Sequence, residues 1–103
     1  MDLAENLYKV LRGCKDYILR DQMQRSAVSI ASNIAEGYDR GSNKEFVRYL
    51  YIAKGSCAEL RTQLYLSHRV GLTDENLYND FLESTQRISA MLHSLIKVRK
   101  ERF

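Results

Sequence analysis

Phe46, Leu50, Ala53, Cys57, Leu60 and Leu64 recur in alternating steps of four and three without a fault. That spacing lays one apolar stripe along a helix and does not fit the two-residue alternation of a half-buried strand. Ser42, with Glu45 three residues later, is a capping box that starts this helix. Gly71, with Leu72 as its hydrophobic partner, ends it through a left-handed backbone. The helix spans about 28 residues, or roughly 42 Å at 1.5 Å per residue. So long an element dictates helical neighbours in a chain of 103 residues. With five glycines and no proline, the turn chemistry for a sandwich or barrel of many short strands is also missing. The length fits one domain, residues 1–103, and excludes two-domain and nucleotide-binding α/β architectures.

Three further helices follow from the same periodicity. Leu3, Leu7, Val10 and Cys14 form a short first stripe, with a break expected between Gly13 and Ile18. Asp21, or else Asp16, can cap a second helix over about residues 20 to 38. Its seam is Met23, Ala27, Ile30 and Ile34, set among Ser26, Ser29, Ala31, Ser32 and Ala35, small side chains that let a neighbouring helix come close. Gly37 or Gly41 terminates it. Thr73 is the expected cap of a fourth helix, with Asp74 and Glu75 favourable in its first turn. That helix carries one stripe of Leu77, Phe81, Ser84, Ile88, Met91, Leu95 and Val98, and a second of Tyr78, Leu82, Leu92 and Ile96. Short connections force neighbouring helices to run antiparallel. The expected fold is therefore all-α, an up-and-down antiparallel four-helix bundle with a short first helix. In that register Arg25 lies level with Glu59, Asn33 and Glu36 near Arg48, Cys57 with Ile88, and Leu50 with Leu95. Tyr49, Tyr51, Ile52, Tyr65 and the second stripe of the fourth helix exceed what a four-helix interior needs, which points to a homo-oligomer.

Enzyme chemistry finds no residues to rest on. His68 and His93 have no helical partner four residues away and lie at different levels, so no metal or other cofactor is expected. A phosphate loop and a nucleophile elbow are both missing. Asp74, Glu75, Asp80 and Glu83 read as a capped, solvated helix start rather than as paired catalytic carboxylates. Cys14 and Cys57 are too few for a disulfide framework or structural zinc and read as reduced thiols. The acidic start suits no signal peptide, and no stretch approaches the roughly 20 apolar residues of a membrane span. A soluble, cytoplasmic protein is the expectation.

Two polar patterns remain. Arg25, Ser29, Ser32, Asn33, Glu36, Ser56 and Glu59 fall beside packed seams, where unpaired polar groups are costly. Pairs such as Glu36 with Arg48 and Arg25 with Glu59 would fix register and assembly. The second pattern is basic. The net charge is only +3, but residues 86–103 hold five bases against one acid. Arg40, Lys44 and Arg48, with Tyr38, Tyr49 and Tyr51, surround the turn between the second and third helices. Lys97, Arg99, Lys100 and Arg102 close the fourth, where cations also offset the negative helix end. Arginine, lysine and tyrosine can hold phosphates and stack on unpaired bases, and arginine and tyrosine equally favour protein contacts.

The stretch Ser29-Ile30-Ala31-Ser32-Asn33-Ile34-Ala35-Glu36-Gly37 resembles the Ser-Ile-Pro-Ser-Asn-Ile-Ala-Glu-Gly signature of the 23S rRNA intervening-sequence protein family. Gln22 and Arg25 fit the Gln-x-x-Arg that precedes it. Lys44 to Leu50, Gly55 to Leu60 and Thr62-Gln63-Leu64 continue the match. The resemblance implies a bacterial four-helix bundle assembled as a homopentamer, similar to basic accessory proteins of diversity-generating retroelements that bind nucleic acid and a reverse transcriptase. It transfers no catalytic residue. The expected function is a non-enzymatic oligomer binding RNA or DNA through its basic surface; a scaffold docking a polymerase or ribosomal protein is the alternative. Ala31 stands where the family usually has proline, which implies a straighter second helix.

Overall fold

The computed structural model describes residues 2–11 and 17–102, arranged as α1 (Asp2–Leu11), α2 (Tyr17–Asp39), α3 (Asn43–Arg69) and α4 (Glu75–Arg102). Cys14, Asp16 and the expected break after Gly13 lie outside the described residues. α3 is central: α2 packs on one side and α4 on the other, while α1 touches both α2 and α4. The result is an all-α bundle measuring 45 × 20 × 18 Å.

The long stripe forms the core as its spacing requires. Leu50, Ala53, Cys57, Leu60 and Leu64 are fully buried, and Phe46 nearly so. Met23, Ala27 and Ile30 meet them from α2, and Leu3 and Leu7 from α1. Each large side chain removed from water in this way contributes about 1.5–3 kcal/mol. α2 runs unbroken through Ala31.

The helix ends follow the expected chemistry with two corrections. Ser42 accepts a hydrogen bond from the Glu45 backbone N–H at 3.2 Å and caps α3. At its other end Leu72 N–H reaches Ser67 O (2.8 Å), Gly71 N–H reaches His68 O (3.1 Å), and Gly71 has φ +78°. This is a Schellman closure, and the positive φ is why glycine stands there. Gly41, at φ +80°, makes the turn after α2, whereas Gly37 remains helical and buried. The first correction concerns Asp21: α2 starts at Tyr17, so Asp21 sits inside the helix and pairs with Arg20 at 3.1 Å. The second concerns Thr73, which is buried. The capping side chain is Asp74, whose carboxylate accepts from Leu77 N–H at 2.8 Å. Asp74 caps better because its charge also faces the positive helix end.

The seam of α4 is rotated from the expected one. Phe81, Thr85, Leu92 and Ile96 are buried, but Met91 is 68% exposed and Val98 43%. The second stripe therefore supplies Leu92 and Ile96 to the core, and part of the first faces outward. α1 has only ten residues, about 15 Å of helix. It covers less than half the length of the longer helices, so α4 buries a narrow strip against α3 instead of a wide face. The expected surplus of apolar surface is present on α3, where Tyr51, Ile52 and Tyr65 are exposed.

Cys57 is fully buried and its thiol donates to Thr85 O at 3.1 Å. Burial pushes the thiol up from its ordinary value, against the opposing charge of Arg61. Because only the thiolate attacks disulfide reagents, Cys57 in a Cys14→Ser background is expected to label with DTNB only as fast as the chain unfolds. Rapid labelling of folded protein would contradict this packing.

Candidate nucleic-acid interface

Antiparallel packing brings the α2–α3 turn and the last turns of α4 to one end of the bundle. Asn43, the first residue of α3, donates its side-chain N–H to the backbone carbonyl of Arg99 at 3.0 Å. That carbonyl is one of the four at a helix end that lack an intrahelical donor. The Arg99 guanidinium lies 4.8 Å over the Phe46 ring. Two basic segments about fifty residues apart are thus tied together at one end of the bundle.

All seven candidate cations lie at this end. Arg40 donates to the Tyr49 hydroxyl at 2.8 Å and pairs with Glu36 at 3.0 Å. Those two partners, Tyr49 first, raise its already high pKa. Arg40 and Arg48 each lie 5.3 Å from the centre of the Tyr49 ring, and Arg48 also pairs with Glu45 at 3.2 Å. Lys100 approaches the Tyr51 hydroxyl at 3.4 Å. Among the described residues Lys44, Lys97 and Arg102 form no ion pair. Seven cations share the end with the carboxylates of Glu36, Asp39, Glu45 and Glu101. At the opposite end Asp74 and Glu75 open α4.

The polar residues of the α2–α3 seam separate into two groups. The Ser29 and Ser56 hydroxyls meet at 2.8 Å, and Asn33 donates to the Ser29 carbonyl (2.8 Å) and hydroxyl (2.9 Å). These three form a compact network across the two helices. Ser32 is exposed and takes no part. The expected pair of Glu36 with Arg48 does not form, because each finds a partner close by in sequence: Arg40, just past the end of α2, and Glu45 on α3. Arg25 and Glu59 line one open groove of about 740 Å³ with Gln22, Thr62 and Gln63, but make no ion pair with each other. Local partners win because a tether of three or four residues orders less chain than a contact between helices.

A smaller pocket of about 340 Å³ lies between α3 and α4, lined by Tyr51, Lys54, His93, Ile96, Lys97, Lys100 and Glu101. Lys54 and His93 escape a reading that looks for clusters along the chain. Their signal is register: Tyr51 and Lys54 share a face of α3, and His93, Lys97 and Lys100 share one of α4. His68 lies elsewhere, stacked on Tyr78 with ring centres 4.4 Å apart. Among the described residues no three His, Cys, Asp or Glu gather as a metal site needs, and no helix is long and apolar enough to cross a membrane.

The family model described as 23S rRNA-intervening sequence protein matches residues 1–94. A crystal structure of a protein of unknown function from the S23 ribosomal protein family of Bacteroides thetaiotaomicron is similar over 91% of this chain and 88% of that one, at 30% identity and a TM-score of 0.84. No curated protein matches the sequence. The family match ends before Lys97, Arg99, Lys100 and Arg102, so four of the seven candidate cations lie beyond it.

Proposed function

Because this chain belongs to the 23S rRNA-intervening sequence protein family, we propose that it is a non-enzymatic, oligomeric protein that binds nucleic acid, RNA first, through the basic end of the bundle. One observation carries the reading: Arg40, Lys44 and Arg48 share one end of the bundle with Lys97, Arg99, Lys100 and Arg102, with Tyr49 on the α2 side of α3 and Tyr51 on its α4 side. A mixed basic and aromatic surface of this kind holds backbone phosphates and stacks bases with little sequence preference. Assembly strengthens it. A homopentamer, which resemblance to the family implies, would carry a net charge of about +15 from five copies of +3. The exposed Tyr51, Ile52, Tyr65 and Met91 supply apolar area for such contacts.

Fluorescence anisotropy with single-stranded RNA at two salt concentrations tests the reading. Binding at low salt should weaken steeply, each neutralised phosphate adding roughly 0.7 to the log–log slope. Lack of binding at low salt overturns it. A second reading, a scaffold that docks a polymerase or ribosomal partner, draws on the same exposed aromatic and apolar side chains. A partner retained by the protein after nuclease treatment would favour it.

A further inference from the structure

The pocket between α3 and α4 has a charge pattern that packing does not explain. Lys54, Lys97 and Lys100 all line it, and among the described residues none forms an ion pair, although Glu101 lines the same pocket. Lys54 lies 3.3 Å from Nδ1 of His93. An ammonium has no lone pair, so Lys54 donates and Nδ1 accepts. A neutral ring that accepts there carries its proton on Nε2, which is a further donor. On the other side Lys100 lies 3.4 Å from the Tyr51 hydroxyl and 5.8 Å from its ring centre. Three ammonium groups, an imidazole and a phenol thus gather around one space, with a single carboxylate against them.

Three like charges around one space set up a local positive potential that attracts an anion. Lysines act as point charges and suit a phosphate, which accepts from several directions at once. The volume of about 340 Å³ falls at the lower end of the range in which proteins enclose small ligands, about 300–1,000 Å³. Its lining is more apolar than polar, supplied mainly by the exposed Tyr51 ring and the lysine methylenes, since Ile96 is buried. A bare phosphate would leave those walls unused; a sugar and base would cover them.

We propose that this pocket is a nucleotide site in which Lys54, Lys97 and Lys100 hold a phosphate monoester, and the exposed Tyr51 ring contacts the attached nucleoside. The source of that group is a free nucleotide or the 5′-phosphate of a strand lying on the basic end. The strand source rests on the function proposed above; the free nucleotide does not.

Two measurements on the full chain separate these sources. The first follows the His93 ring resonances by NMR with adenosine 5′-monophosphate and, separately, adenosine. The phosphate-bearing probe should shift them and adenosine should not. The second compares one RNA strand with a 5′-phosphate and with a 5′-hydroxyl. The phosphorylated strand should bind about tenfold tighter, the effect of one good charge-assisted contact. Lys54→Gln should abolish both effects, so that the two strands bind alike. A nucleotide shift without binding of either strand supports the site, assigns it to the free ligand and removes the nucleic-acid reading. Unmoved His93 resonances with equal affinities overturn the site and leave salt-dependent RNA binding standing. A preference for the phosphorylated strand that survives Lys54→Gln also overturns it. The wild-type comparison needs no variant to fold.

Discussion

Gly37→Leu is expected to destabilise the protein by about 3 kcal/mol and to lower its Tm by more than 10 °C. A Cβ at Gly37 would stand 2.6 Å from the Tyr49 Cβ and 3.2 Å from Cδ1 of Phe46. The Tyr49 atom is the first of its side chain, so no rotamer change moves it away. The α2 and α3 backbones must separate, and overpacking of this kind costs about 1–3 kcal/mol or more. The gain in helix propensity over glycine, about 1 kcal/mol, offsets only part of the larger strain of leucine. Thermal and urea unfolding measure the loss, at about 4–8 °C per kcal/mol for a domain near this size. Gly55→Ala is the control. Gly55 is helical and exposed, and a Cβ added there would meet nothing within 4 Å, so alanine should add up to about 1 kcal/mol. If Gly37→Leu unfolds at the wild-type temperature, the close approach of α2 and α3 is wrong. The same variant also connects packing to function, because spreading the helices at Gly37 moves Tyr49 and the arginines gathered around it.

Gly37 illustrates which parts of this protein are legible in its sequence. The α2 seam, the α3 stripe and the Ser42 and Gly71 caps are local patterns, and each forms as its spacing dictates. The choice between Gly37 and Gly41 as the end of α2 is not local. Both can terminate a helix, and only the approach of Tyr49 and Phe46 explains why Gly37 lies inside one. The orientation of α4 fails for a similar reason. Two apolar stripes compete, and the reach of α1 decides how much of each is covered. Thr85 and Ser67 are fully buried although both read as polar. Their hydroxyls donate to Leu82 O and Leu64 O on their own helices, each at 2.8 Å, so burial leaves those donors satisfied. Of the candidate site, the seven cations were visible residue by residue. Their meeting follows from antiparallel topology, whereas Lys54 and His93 join a pocket only through the α3–α4 register.

Neutralising Lys44, Lys97, Lys100 and Arg102 together, each to glutamine, is expected to weaken RNA binding on the order of a thousandfold at roughly 0.1 M salt. Each lost phosphate contact removes roughly 0.7 from the log–log salt slope, so the four together flatten it by about 3. A flattening of that size at about a tenth molar gives the thousandfold loss. Arg40 and Arg48 should matter less, because Tyr49, Glu36 and Glu45 already hold their guanidinium groups and a phosphate must compete with them. Arg69→Gln, at the far end of α3, should leave the slope unchanged. The losses at Lys44 and at the three α4 positions must add if both segments contact one strand. If either set alone abolishes the salt dependence, the strand follows one helix and the convergence of the two segments has no part in binding. The wild-type slope carries further information. Seven cations on one chain, at roughly 0.7 each on single-stranded RNA, allow a slope of about 5. A steeper value would require a second subunit on the same strand, so one titration would read both the interface and its multiplication by assembly.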